Sequence, residues 1–265
     1  MVMRRLAVLI GGLVAGVLLA LAGALPARAG AGGGMSGGES ATVAVASNFL
    51  STARELVADF AAKTGHEILL VNGATGMLHA QIVKGAPFDL FLSADRERVG
   101  ALETAGLLAP GGRRTYALGR LVLYARDPDR LGPSLRASLA DPELSRLAIA
   151  DPRLAPYGRA AIEVLKALGL EDRLGERLVR GQNVAQALAF VQSGNAELGL
   201  VALALAREGG GRWIAVPATL HGPIAQDAGL LRRGSGNAAA RAFWDYLLSD
   251  SAREIIRAHG YEVRP

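Results

Sequence analysis

ATVAVASNFLSTARELVADFAAKTGHEILLV, residues 41–71, decides the fold. Its first apolar run, 42–46, is short and stops at Ser47, as a buried strand does. From 48 to 63 the residues Leu50, Ala53, Leu56, Val57 and Phe60 recur at helical spacing, and Gly65 stands where a left-handed residue closes a helix. A second apolar run follows at 67–71. Strand, helix and strand in this order are the unit of an α/β fold with a largely parallel sheet.

The alternation continues downstream. A Gly73-Ala74-Thr75-Gly76 turn opens a helix at 77–84, and 88–92 is a third strand whose end, Ser93-Ala94-Asp95, offers Asp95 as the N-cap of a helix carrying Val99, Leu102 and Leu107. After Arg113-Arg114-Thr115 a second series begins. Strands are predicted at 121–125, 147–150 and 197–202, helices at 158–168 and 184–192, later strands at 214–217 and 224–230, and closing helices at 238–248 and 251–259 with Trp244 and Tyr246 as packing residues. No solenoid repeat is present.

Upstream, Arg4 and Arg5 precede an uncharged apolar run, 6–25, and then Pro26 and Ala27-Arg28-Ala29, the small-residue grammar of a cleaved secretory leader over 1–29. About 20 apolar residues also suffice for an uncleaved anchor; the cleavage signal favours export. Residues 30–40, rich in glycine, read as a flexible mature N-terminus. The chain has 265 residues, 51% of them hydrophobic, enough for two lobes, and no cysteine, hence no disulfide, thiolate metal site or lipid-modified Cys. Without Arg4, Arg5 and Arg28 the 29 basic residues fall to 26 against 24 acidic ones, and the arginines are scattered, which speaks against nucleic acid as a partner.

Enzyme signatures are missing: no nucleophile elbow, no His-Glu-x-x-His, no Walker lysine after Gly76, no dinucleotide fingerprint after the first strand. His66, His79, His221 and His259 stand isolated and read as solvated. What recurs is a donor where a strand hands over to a helix: Ser47-Asn48, Thr75-Gly76, Tyr157-Gly158 and Asn183-Val184. Helix starts carry unpaired N–H groups and part of a positive charge, and in open α/β sheets ligands sit at the carboxyl ends of strands. Gly76 and Gly158 would let the backbone approach the ligand closely. Each residue alone is equally an ordinary N-cap or loop residue. Four such junctions, split between two lobes, read together as an anion site.

These motifs carry a resemblance. Val45-Ala46-Ser47-Asn48, Gly73-Ala74-Thr75-Gly76, the specific stretch Gly85-Ala86-Pro87-Phe88-Asp89-Leu90-Phe91-Leu92-Ser93-Ala94-Asp95, Ala155-Pro156-Tyr157-Gly158 and Asn183-Val184-Ala185-Gln186-Ala187-Leu188 resemble the periplasmic molybdate-binding proteins of ABC transporters, from Ala41 to Val263. The resemblance implies a type II periplasmic binding protein fold: two Rossmann-like α/β lobes joined by crossing hinge strands. Lobe 1 would take 41–118 and return with 228–265, and lobe 2 would take 119–227. It implies a monomeric, periplasmic receptor without cofactor that binds molybdate or tungstate through Ser47, Thr75, Tyr157 and Val184, with Asn48, Gly76 and Gly158 as further contacts, and that delivers to a membrane permease. Two positions depart from the pattern. Ala74-Thr75 stands where many members have Ser-Ser, and Ala202 where some have a tyrosine, whose hydroxyl Tyr157 would replace. Sulfate and phosphate receptors share the fold, but phosphate keeps a proton and calls for a carboxylate, which none of the four junctions presents. A nucleotide-using α/β enzyme is the alternative from another class.

Overall fold

In the computed structural model, which describes residues 38–263, the opening stretch forms β1 (Ser40–Ala46), a 3-10 turn (Ser47–Phe49), α1 (Leu50–Thr64) and β2 (Glu67–Gly73). The expected leader and most of the glycine-rich stretch lie outside the described residues. α2 (Thr75–Val83), β3 (Leu90–Leu92), α3 (Glu97–Thr104), β4 (Leu108–Gly119) and β5 (Leu121–Ala125) follow, then α4 (Leu135–Leu139), β6 (Leu147–Ala150), α5 (Pro156–Ala167), α6 (Glu171–Leu174), β7 (Leu178–Gly181) and α7 (Val184–Gln192). The chain ends with β8 (Leu198–Ala202), α8 (Leu203–Glu208), β9 (Arg212–Ala215), β10 (Ile224–Leu231), α9 (Ala238–Tyr246) and α10 (Asp250–Ala258).

Two five-stranded sheets result, one in the order β2-β1-β3-β10-β4 and the other β7-β6-β8-β5-β9. β1 is parallel to β2 and β3, and β6 to β7 and β8. The antiparallel pairs are made by the strands that leave or re-enter a sheet: β10 with β3 and β4, and β5 with β8 and β9. Each sheet is therefore mixed rather than largely parallel. The chain crosses between the sheets at Gly119–Leu121 and again between β9 and β10. All of β10 belongs to the first sheet, so the return starts at Ile224, four residues ahead of the expected 228. A bridge between Leu118 and Glu262 lays the C-terminal segment along the first crossing.

Each sheet has its own core. Phe49, Leu56, Phe60 and Phe243 are fully buried in the first, Leu123, Leu147, Leu165 and Leu200 in the second. A side chain of this size contributes about 1.5–3 kcal/mol on burial. Phe60 lies edge-on to Phe243, and Tyr246 reaches from α9 to Asp59 of α1 at 2.6 Å. Trp244 packs against the Arg114 guanidinium, 3.7 Å from the ring centre.

Three elements depart from the sequence reading. β4 contains Pro110-Gly111-Gly112; its pairing with β10 steps from Gly229–Arg113 to Leu231–Leu108, so these residues bulge out of the ladder and the strand continues on either side. β7 is short and only its last residue is buried, so it has no alternating pattern. The strand expected at 88–92 begins at Leu90, because Asp89 is turned aside to take the Thr42 N–H on its carboxylate at 2.8 Å.

Candidate oxyanion site

The four junctions converge on the turn 47–49. Ala46 and Gly73 are paired partners at the ends of β1 and β2, so Ser47 and Thr75 leave the sheet side by side. α7, which Val184 opens, packs against the 47–49 turn from the other lobe. Tyr157 reaches the same place through Gln226: the Gln226 amide lies 3.3 Å from the Tyr157 hydroxyl and 3.0 Å from the Asn48 side chain. Ser47, Thr75, Tyr157 and Val184 are all buried.

The structure separates the residues that cap helices from those that do not. Asn183 is an ordinary N-cap, its side chain accepting from the Gln186 N–H at 3.0 Å. Its helix start leaves the N–H groups of Val184 and Ala185 with no acceptor among the described residues. Ser47 and Thr75 do not cap the helices they open. The Thr75 hydroxyl accepts the Ala94 N–H at 3.2 Å, which leaves its own proton to be donated. Asp95 does cap, from one residue further out than expected: α3 begins at Glu97, and the Asp95 carboxylate takes the Arg98 N–H at 3.0 Å.

Tyr157 is the largest group in the site. Pro156, with its fixed φ and no N–H to lose, starts α5 ahead of it. The hydroxyl seats against Gly119, where an added Cβ would come within 2.1 Å of the oxygen, so the first crossing is bare there to admit it. Burial pushes the phenol well above its ordinary pKa, and it stays a neutral donor. Ala202, buried at the end of β8, is paired with Leu121, two residues beyond Gly119, so the two positions face the same crossing.

Gly76 and Gly158 are placed differently from the other five. The Gly76 N–H donates to the Leu154 carbonyl of the opposite lobe at 2.9 Å, and the Gly158 N–H to Ala155 at 3.0 Å. A Cβ on Gly158 would meet the Ala150 carbonyl at 2.3 Å, so that glycine lets α5 pack on the end of β6. Both amides already have acceptors. Asn48 likewise spends its side chain on Gln226 and Tyr261, and its backbone N–H is the part left free.

A polar seam joins the lobes beside the site. Besides the Gly76–Leu154 bond, Arg98 donates to the Arg153 carbonyl at 2.9 Å, and Arg159 of α5 pairs with Asp95 at 2.9 Å and Glu97 at 3.4 Å. Every buried carboxylate is engaged: Asp95 with Arg98 and Arg159, Asp227 with Arg113, Asp151 with Arg153, and Asp89 with the Thr42 N–H. The Arg153 guanidinium beside Asp151 holds its carboxyl below the usual range. His259, expected to be solvated, lies 2.7 Å from Glu55 and packs outside the site. Sequence reasoning missed Gln226, Tyr116 and Tyr261; no motif marks them, because they meet only when the crossing strands and the C-terminal segment come together.

Two α/β lobes with crossing strands and a donor-lined seam define a two-domain solute receptor. The family described as bacterial extracellular solute-binding protein matches residues 41–262. The chain belongs to that family and, with its relatives, to the molybdate-binding proteins. It is 43% identical over 240 residues to the molybdate-binding protein ModA of Rhodobacter capsulatus, covering 90% of each chain, and 43% identical to that of Azotobacter vinelandii, covering 84% of this chain and 89% of the other. The periplasmic molybdate-binding protein of Azotobacter vinelandii superposes with a TM-score of 0.81 at 38% identity, covering 85% of this chain and all of that one. The type II periplasmic binding protein fold is thereby shown. The sulfate-binding protein SubI from Mycobacterium tuberculosis H37Rv, at 13% identity and a TM-score of 0.71, shares the fold alone.

Proposed function

We propose that this chain captures molybdate or tungstate outside the cytoplasmic membrane and hands it to the permease of an ABC importer, with no catalytic step. What supports this is the set of neutral donors at the junctions of both lobes: the Ser47, Thr75 and Tyr157 hydroxyls and the N–H groups of Asn48, Val184 and Ala185, which have no acceptor among the described residues. Such donors stabilise a dianion without a cationic side chain. With each buried carboxylate already engaged, none is left to accept the proton of a hydrogen phosphate, which favours a fully ionised tetrahedral anion. Sulfate meets that condition too and differs in size; the molybdate-binding relatives rank molybdate and tungstate first.

Calorimetric titration with molybdate, tungstate and sulfate tests the reading. Saturable binding of the first two, with sulfate weaker by at least an order of magnitude, is expected; preference for sulfate or silence to all three overturns it. For the location, the exported chain should begin at or near Gly30 on N-terminal sequencing. Recovery of chains starting at Met1 in the membrane fraction overturns the cleaved leader. No helix among the described residues is long and apolar enough to cross a membrane.

A further inference from the structure

Beneath the site lies a chain of hydrogen bonds whose direction is set at one end. The Tyr261 hydroxyl lies 2.7 Å from the Asn48 carbonyl, an acceptor only, so its proton goes there. Its oxygen must then accept from the Asn48 side chain at 3.1 Å, which makes that atom the Nδ2 donor. The second Nδ2 proton points at Gln226 at 3.0 Å, so the Gln226 atom it meets is Oε1; the Tyr116 hydroxyl lies 3.1 Å from that oxygen and 3.1 Å from the Ser93 carbonyl and shares its one proton between them. The other end of the amide is therefore Nε2, and it donates to the Tyr157 oxygen at 3.3 Å. One lone pair of Tyr157 is thus occupied, with the Asn48 amide also beside it, and the one hydrogen bond its hydroxyl makes among the described residues is one it accepts. Gln226 is fully buried.

Resting on the reading that Tyr157 donates to the anion, we propose that Gln226 is the positioning residue for that donor. By filling the acceptor side of the Tyr157 hydroxyl, it orients the O–H towards the ligand. A glutamate of the same shape would reverse the arrangement. Its carboxylate would still accept from Asn48 and Tyr116, but it would also take the Tyr157 proton and turn lone pairs towards the anion. The titratable groups facing position 226 are Tyr116 of β4, Tyr157 of α5 and Tyr261 beyond α10, all held neutral by burial.

The test is molybdate affinity, by calorimetry between pH 6 and 9, for the parent, Gln226→Glu, Gln226→Met, Tyr157→Phe and the Gln226→Met/Tyr157→Phe double variant, with circular dichroism as the folding control. Gln226→Glu is expected to bind at least about 30-fold more weakly at pH 8 and to recover as the pH falls and the carboxyl takes a proton, against a flat parent profile. The loss caused by Gln226→Met is expected to vanish in the Tyr157→Phe background, because Gln226 acts through that hydroxyl. Gln226→Glu binding within about threefold of the parent at pH 8, or a Gln226→Met loss that persists undiminished without the Tyr157 hydroxyl, overturns the proposal while leaving the anion reading intact. A Tyr157→Phe variant that binds like the parent overturns both the donor assignment and the role of Gln226.

Discussion

On the proposed reading, the Ser47, Thr75 and Tyr157 hydroxyls are expected to carry distinguishable shares of the binding. A hydrogen bond to a charged group is worth roughly 1.5–3 kcal/mol, or about 10-fold to 150-fold in affinity. Ser47→Ala and Tyr157→Phe are expected to weaken molybdate binding by that order without abolishing it, since the backbone N–H groups survive both changes. Thr75→Ala is expected to cost more than Ser47→Ala, because it also strips the Ala94 N–H of its acceptor. Titration of the three variants decides it; equal and negligible losses would place the anion elsewhere. These three residues were legible in the sequence, since a hydroxyl at a strand-to-helix junction announces itself by spacing. Gln226 was not, because inside β10 it reads as one more position of an apolar strand, and its meaning lies in Asn48, Tyr157 and Tyr261, each at least 35 residues away in the chain.

At the level of elements, α1 is tied to the C-terminal pair of helices by one carboxylate. Asp59 accepts from Lys63 at 2.6 Å, from the Tyr246 hydroxyl at 2.6 Å and from Ser251 at 2.9 Å. The Lys63 ammonium and the Tyr246 hydroxyl hold its pKa down to about 2. A depressed carboxyl stabilises the fold fully above the ordinary carboxylate range, and the contribution drains away as the pH falls from about 4 towards 2. Asp59→Asn is therefore expected to lower the melting temperature by roughly 2–4 °C at pH 7, for a loss of about 1 kcal/mol, and to narrow its difference from the parent near pH 2. A constant difference across that range would show that the charge is not involved. The elements themselves were mostly readable: α1 and β1 follow from apolar spacing alone. β4 escaped because Pro110-Gly111-Gly112 interrupts it, a bulge that only the pairing with β10 on either side bridges, and β7 because a short, exposed strand has no periodicity to read.

For the whole molecule, the seam between the lobes is expected to set how long an anion is kept. Arg159→Gln removes the link from α5 to Asp95 and Glu97 without touching a donor of the site. Dissociation of molybdate is expected to quicken by roughly 5–30-fold in stopped flow, with association little changed, and added salt is expected to bring the parent towards the variant. An unchanged dissociation rate would remove the pair from the mechanism. Small-angle scattering should show the parent compacting on molybdate, since a ligand bridging both lobes gains its full contact set only when they meet. The seam is built from the chain's own groups, Gly76 to Leu154 and Arg98 to Arg153. While it is made, the donors of the two lobes are held together, so release of a bound anion waits on its breaking. Release then has a ceiling: however weak the individual contacts, the anion leaves no faster than the two halves part.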